Sequence, residues 1–356
     1  MKNVEIGNVK PGMIMGESLY SFPDGRCLVA ENVILSQEII NRLTKLNHKY
    51  IIIKDENEVD TDEDIISKEL KRQMIRSIIS VFGVFSKGEI RKQDEKKASK
   101  EIERFKSLVQ DVVDEIIANK DCVTQVINIR NYDDTTFNHS LEVAKLSIII
   151  GINMNFERIE LRHLAEAAIL HDVGKIAIPI EIINKPGKLT KEEFDIVKTH
   201  PRLGREILES TGKFELPVLM GVQQHHERFD GKGYPMGIDG TKISKIAKVI
   251  SSADDYSAMT SKRSYKEAFK KGEVFEYLYI MDGKHDPEVL SVFFSKIPVY
   301  EIDEEITIST GEKAVVIQNN VSNLLRPIIQ IIKDEKSSGK IIDLLDRQFY
   351  NITIES

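Results

Sequence analysis

Apolar residues recur along this chain at two periods, and the changes of period divide it into four stretches. Residues 1–55 carry turn signals at Pro11-Gly12 and Pro23-Asp24-Gly25. Short apolar runs at 27–29 and 50–53 predict strands, and residues 36–46 predict one helix, so this stretch reads as a small α+β module. Residues 56–130 are helical and highly charged. Ile65, Met74, Ile78 and Phe82 form one broken stripe. Ile102, Phe105, Val109, Val112 and Ile116 form another, close to a 3.5-residue period. Two readings fit: a signalling or dimerising helix pair, with a homodimer through residues 63–120, or helices packed on their own chain. Two or three heptads are too few to choose between them. The charge-rich stretch 86–100 reads as a loop or a solvated face.

Residues 131–295 read as helix after helix, over 137–150, 158–170, 203–208, 216–227 and 243–259. A further helix opens on the capping-box form Thr190-Lys191-Glu192-Glu193 and runs to His200, before Pro201. A polar, glycine-rich loop interrupts at 230–237. No alternating strand pattern occurs here, so this unit is expected to be all-α. Residues 296–356 change character again. Strands are expected at 304–308, 313–318 and 327–332, with Gly311, Asn319-Asn320 and Ser338-Gly339 between them. The expected fold is mainly α: a large helical domain, a small α+β module before it and a β-rich extension after it.

One dipeptide breaks the pattern. Leu161, Leu164, Ala165 and Ala168 define an apolar stripe, and Asp172 falls four positions past Ala168 on the same face. A buried carboxylate is costly unless it is paired or bound to a metal. The helical unit offers partners, because six of the eight histidines lie between His139 and His226. His139 shares a face with Val143, Leu146 and Ile150. His200 follows Val197 by three, His225-His226 closes a helix, and Asp254 continues the face of Ile246 and Ile250. Any one of these would pass as a core histidine or a cap. Five inward histidines and two inward carboxylates together are difficult to satisfy without a cation. His163 lies off the stripe and reads as an ordinary packed residue.

The donors are nitrogen and oxygen only, since Cys27 and Cys122 are the sole cysteines. That favours iron, manganese or a similar divalent ion over structural zinc. Seven ligands exceed the needs of one ion. Two ions about 3.5–4 Å apart, bridged by a carboxylate, suit the set better and would clamp a phosphoryl displacement. The net charge of -7 argues against a nucleic-acid polymer as partner. No apolar run approaches the ~20 residues of a membrane span, and the first residues lack an apolar signal region, so a cytoplasmic location is expected.

Several separated motifs in order carry a resemblance. His171-Asp172 with Gly174-Lys175, His200-Pro201, His225-His226-Glu227, Asp230-Gly231-Lys232-Gly233-Tyr234-Pro235 and Ala253-Asp254-Asp255-Tyr256 with Arg263 and Tyr265 resemble the HD-GYP family of metal-dependent phosphodiesterases. The resemblance covers about residues 130–292. It implies an all-α HD-type catalytic domain hydrolysing cyclic di-GMP to pGpG or GMP with a metal-activated hydroxide. It also implies a ligand set. One metal is held by His139, His171, Asp172 and Asp254, the other by Asp172, His200, His225 and His226. Lys175 then contacts the scissile phosphate as a catalytic residue with Asp172, and Arg263 and Lys266 hold the substrate's phosphates or guanines. Some members add a third metal through a glutamate four residues before the first histidine. Thr135 stands there, so two metals are expected. The glycine-rich loop is implied to line the cleft or dock protein partners. Tyr234 reads as a packing anchor. Two other functions fit the same residues: a cyclic di-GMP receptor with little activity, and a phosphohydrolase acting on another nucleotide.

Overall fold

A computed structural model describes residues 2–16, 18–21, 27–46, 50–54, 65–86, 95–119, 136–185, 187–260, 271–280, 283–296, 299–300, 302–320, 323, 325–334 and 337–355. The amino-terminal strands β1 (Lys2–Glu5), β2 (Leu19–Tyr20), β3 (Cys27–Val29) and β4 (Tyr50–Ile53) form two antiparallel pairs, β1 with β4 and β2 with β3. Helix α1 (Gln37–Lys45) starts where the Ser36 hydroxyl accepts from the Ile39 N–H. It buries Ile40 and Leu43 against Met15, Leu35 and Ile51 in a small core of their own.

Helices α2 (Lys68–Phe85) and α3 (Glu95–Ala118) follow. Residues 95–100 of the charge-rich stretch are helical, and residues 87–94 lie outside the described residues. Both stripes turn into this chain's own core. Met74, Ile78, Phe82, Phe105, Val109 and Val112 are buried in one cluster with Leu141, Ile148, Leu164 and Ala168 of the next two helices, α4 (Thr136–Asn153) and α5 (Arg158–Leu170). Phe82 meets Phe137 edge-on at 5.6 Å. The heptad-like spacing is therefore satisfied within the chain.

The helical unit continues with α6 (Ile180–Ile183), α7 (Lys191–Val197), α8 (His200–Ser210), α9 (Leu216–Gln224), α10 (Lys245–Thr260), α11 (Lys271–Ile280) and α12 (Pro287–Lys296). Two expectations change. Pro201 does not follow a helix end; it occupies the first turn of α8, which begins at His200. Proline suits that turn, because its missing N–H would have no helical partner there. Helix α5 stops at Leu170, so Asp172 stands just past the helix end rather than on its stripe, yet it is buried all the same.

A four-stranded antiparallel sheet, β5 (Glu305–Thr307), β6 (Lys313–Gln318), β7 (Ile328–Asp334) and β8 (Ser337–Asp343), closes the chain. Ser338-Gly339 lies inside β8 rather than between strands. A Cβ on Gly339 would stand 2.1 Å from the Ile331 carbonyl oxygen, so glycine here permits close strand approach at an irregular register.

A buried charge cluster joins α3, α5 and the start of α9. Glu166 is fully buried on α5, with Lys106 Nζ at 3.5 Å and Arg162 Nε at 3.7 Å. Neither carboxylate oxygen has a hydrogen bond. Burial raises the Glu166 pKa above its ordinary 4.5, although Lys106 and Arg162 oppose the rise. The folded state therefore holds this proton more tightly than the unfolded state, and the associated stability is lost as pH rises through the folded value. Glu166→Gln mimics the protonated form. Its melting temperature relative to wild type is expected to climb by a few degrees as pH rises from below 4.5 to 8. A difference that stays flat across that range would refute a costly charge at this position.

Candidate metal centre

Three helix ends, a short turn and the bodies of α4 and α10 place the site. His171 caps α5 and His225 caps α9. His200 opens α8, and Asp172 enters a short 3-10 turn, Val173–Ala177. His139 and Asp254 come from the bodies of α4 and α10. The side chains gather into two clusters, Asp172 with His200, His225 and His226, and His139 with His171 and Asp254. Each cluster's ligand atoms lie within 4.8 Å of one another. They meet at the dipeptide: His171 Nε2 is 3.3 Å from Asp172 Oδ2 and 3.9 Å from Asp254 Oδ1, while His200 Nε2 is 3.2 Å from Asp172 Oδ1. All seven residues singled out as ligands from the sequence are thus brought together.

The imidazoles are oriented by their second nitrogens. Nδ1 of His171, His200 and His225 lies 2.7–2.8 Å from the carbonyl oxygen three residues before, on Ala168, Val197 and Val222. A carbonyl only accepts, so each Nδ1 carries a proton and each ring turns Nε2 into the site. His200 Nε2 and His225 Nε2 face each other there at 3.3 Å. His171 Nε2 and Asp172 Oδ1 are buried and lack any hydrogen bond. A cation resolves all of these contacts at once, and the nitrogen–oxygen donor set fits a divalent transition metal.

The electrostatics agree. Burial, reinforced by the neighbouring histidines, pushes His225 well below its usual range and His226 down to about 3, so both rings stay neutral as ligands must. Burial works against the charged form of Asp172, but Lys175 and His171 overcome it and hold the carboxyl well below the ordinary value. Lys175 Nζ lies 2.5 Å from Asp172 Oδ2, at the partly open side of the site. His163 belongs to neither cluster. It pairs with Glu215 at 3.0 Å.

The glycine-rich loop folds back onto the histidine pair. Tyr234 stands over His226 with ring centroids 4.8 Å apart, and its N–H donates to the His226 carbonyl. The buried Glu227 carboxylate accepts from the Met236 and Ile238 N–H groups at 2.7 and 3.1 Å, which pins the loop. Sequence reasoning left Glu227 without a role. It also passed over Ser257, whose Oγ lies 3.0 Å from His139 Nδ1. Its spacing of three from Asp254 on one helix was the available signal. Arg263, Lys266 and Thr135 lie outside the described residues.

Comparison with known proteins decides the family. A family model described as "HD domain" matches residues 112–289, half of the chain. The chain belongs to the HD domain family. A cyclic di-GMP phosphodiesterase of Pseudomonas aeruginosa is 32% identical over 235 residues, which cover 65% of this chain and 57% of that protein. Another, of Thermotoga maritima, is 35% identical over 198 residues, covering 53% of this chain and 51% of that one. The matched stretch spans about half the length of these curated relatives. A solved HDG"Y"P protein from Bdellovibrio bacteriovorus has the same fold, with a TM-score of 0.53 at 19% identity over 82% of this chain and 97% of that one. A mainly α HD fold with a β-rich carboxy-terminal region is therefore established. Among the described residues no helix is long and apolar enough to cross a membrane.

Proposed function

We propose that this protein is a metal-dependent phosphodiesterase that hydrolyses cyclic di-GMP to pGpG, GMP or both. One observation carries the reading: two histidine–aspartate clusters meet at Asp172, inside an HD domain whose relatives are named cyclic di-GMP phosphodiesterases. In this reading His139, His171 and Asp254 hold one cation and His200, His225 and His226 the other, with Asp172 shared. Iron or manganese suits the donors. Such a pair supplies Lewis acidity toward phosphate oxygens and lowers the pKa of water.

The chain's own residues do the rest. The carbonyls behind His171, His200 and His225 hold the imidazoles in their binding tautomer without rearrangement. Lys175 balances the Asp172 carboxylate and sits where its ammonium can turn to an incoming phosphate. Arg263 and Lys266 take the remaining phosphate or guanine contacts. Tyr234 walls the site beside His226, and burial with the nearby aspartates raises its phenol pKa, so it keeps its proton. The loop's outer side, with exposed Met236, is where a protein partner would dock. A homodimer through residues 63–120 would use the polar faces of α2 and α3.

The test is protein purified without oxygen, loaded with Fe2+ or Mn2+, and offered cyclic di-GMP, cyclic di-AMP and cyclic GMP-AMP. Consumption of cyclic di-GMP with release of pGpG or GMP is expected. Saturable binding with no product over hours would replace this reading by a receptor, although a receptor needs none of the seven ligands. Preferential turnover of another dinucleotide would overturn the substrate.

A further inference from the structure

The histidines of the site differ in what stands behind them. Three are backed by carbonyl oxygens, which accept and never donate. Their tautomer is fixed before any ion arrives. His139 is backed by a hydroxyl, Ser257 Oγ at 3.0 Å, and a hydroxyl does either. Its other nitrogen, Nε2, lies 3.0 Å from Asp254 Oδ1. A carboxylate oxygen demands a donor, so without an ion Nε2 carries the proton and the Ser257 hydroxyl donates to Nδ1. To offer Nε2 to a cation, the ring must carry its proton on Nδ1 instead. Ser257, buried on α10 one turn from Asp254, must then turn from donor to acceptor.

The two clusters are therefore unequal. Each ion is offered three residues of its own and the shared Asp172. Beside Asp172, the rings of His200 and His225 are locked in the binding tautomer. The cluster of His139, His171 and Asp254 has one ring so locked, and must break its own His139–Asp254 hydrogen bond. We propose that Ser257 is a positioning residue that sets the His139 tautomer, and that the ion held by His139, His171 and Asp254 is consequently the second to load and the more weakly held. This rests on the two-ion reading above.

Manganese titration of the ion-free protein, followed by calorimetry and electron paramagnetic resonance, tests it. Wild type is expected to take up two ions in two affinity classes. Ser257→Ala leaves the half-buried His139 Nδ1–H without its hydroxyl acceptor in the loaded state. It should weaken the looser class by about 10–100-fold, the usual cost of a lost partner behind a metal ligand, with the tighter class unchanged. Ser257→Thr keeps the hydroxyl and should restore it. Nitrogen-15 spectra of wild type, which need no variant, should show His139 with its proton on Nε2 when ion-free and on Nδ1 when loaded with Zn2+. Uptake of fewer than two ions by wild type would remove the two-ion reading, and this inference with it. Two ions bound equally well by wild type and Ser257→Ala would overturn the inference alone. So would equal loss of both classes in that variant, a threonine variant as weak as alanine, or a His139 proton already on Nδ1 in ion-free protein.

Discussion

Asp172→Ala is expected to reduce cyclic di-GMP hydrolysis by at least about a thousandfold, the upper range for losing one electrostatic contact to a reacting group. The reason is position. Asp172 offers one carboxylate oxygen to each cluster, Oδ2 toward His171 and Oδ1 toward His200. Its loss removes a ligand from each proposed ion and leaves the Lys175 ammonium without its counter-charge. Steady-state rates with metal counting check this, and the variant should hold fewer ions than wild type. Turnover near the wild-type rate would remove Asp172 from the bridging role.

The second large effect is expected at Gly174, which touches no ligand side chain. A Cβ there would lie 1.9 Å from the His200 carbonyl oxygen and 2.5 Å from the Gly204 N–H nitrogen. Both are backbone atoms, so no rotamer change relieves the overlap. Gly174→Ala must push α8 away from the turn that carries Asp172 and Lys175, at a cost of about 3 kcal/mol or more. Because His200 opens α8, the same shift spoils its 3.2 Å approach to Asp172. Melting temperature and metal content should fall together. A variant of wild-type stability with two ions bound would show that the helix and the turn separate without cost.

The ligand set was legible because polar residues at positions expected to be buried have to be satisfied. His139 and Asp254 interrupt apolar helix faces, and Asp172 continues the spacing of the α5 stripe even though the helix itself stops at Leu170. His163 was set aside for the complementary reason, and it lies against Glu215, outside both clusters. Ser257 and Glu227 were harder. A serine in a helix breaks no pattern, and its value depends on which ring nitrogen it meets. Glu227 reads as a surface charge until the loop folds over it. Helices α2 and α3 show another limit. Their spacing reveals a stripe to be buried but is silent on what buries it, and here the partner is the core beneath the site. The turn assigned at Ser338-Gly339 failed because glycine also serves close strand approach, which one sequence does not distinguish from a turn.

The ring contacts behind the site have a consequence for the helices themselves. The last turn of any helix leaves carbonyl groups without partners and concentrates the negative end of the helix dipole. His171 and His225 donate to such carbonyls at the ends of α5 and α9, so each is a cap as well as a candidate ligand. A cation beyond their Nε2 atoms would sit at the negative poles of two helices. Chelation would then cost more than the metal bonds, because both helix ends would lose the cation's charge that steadies them.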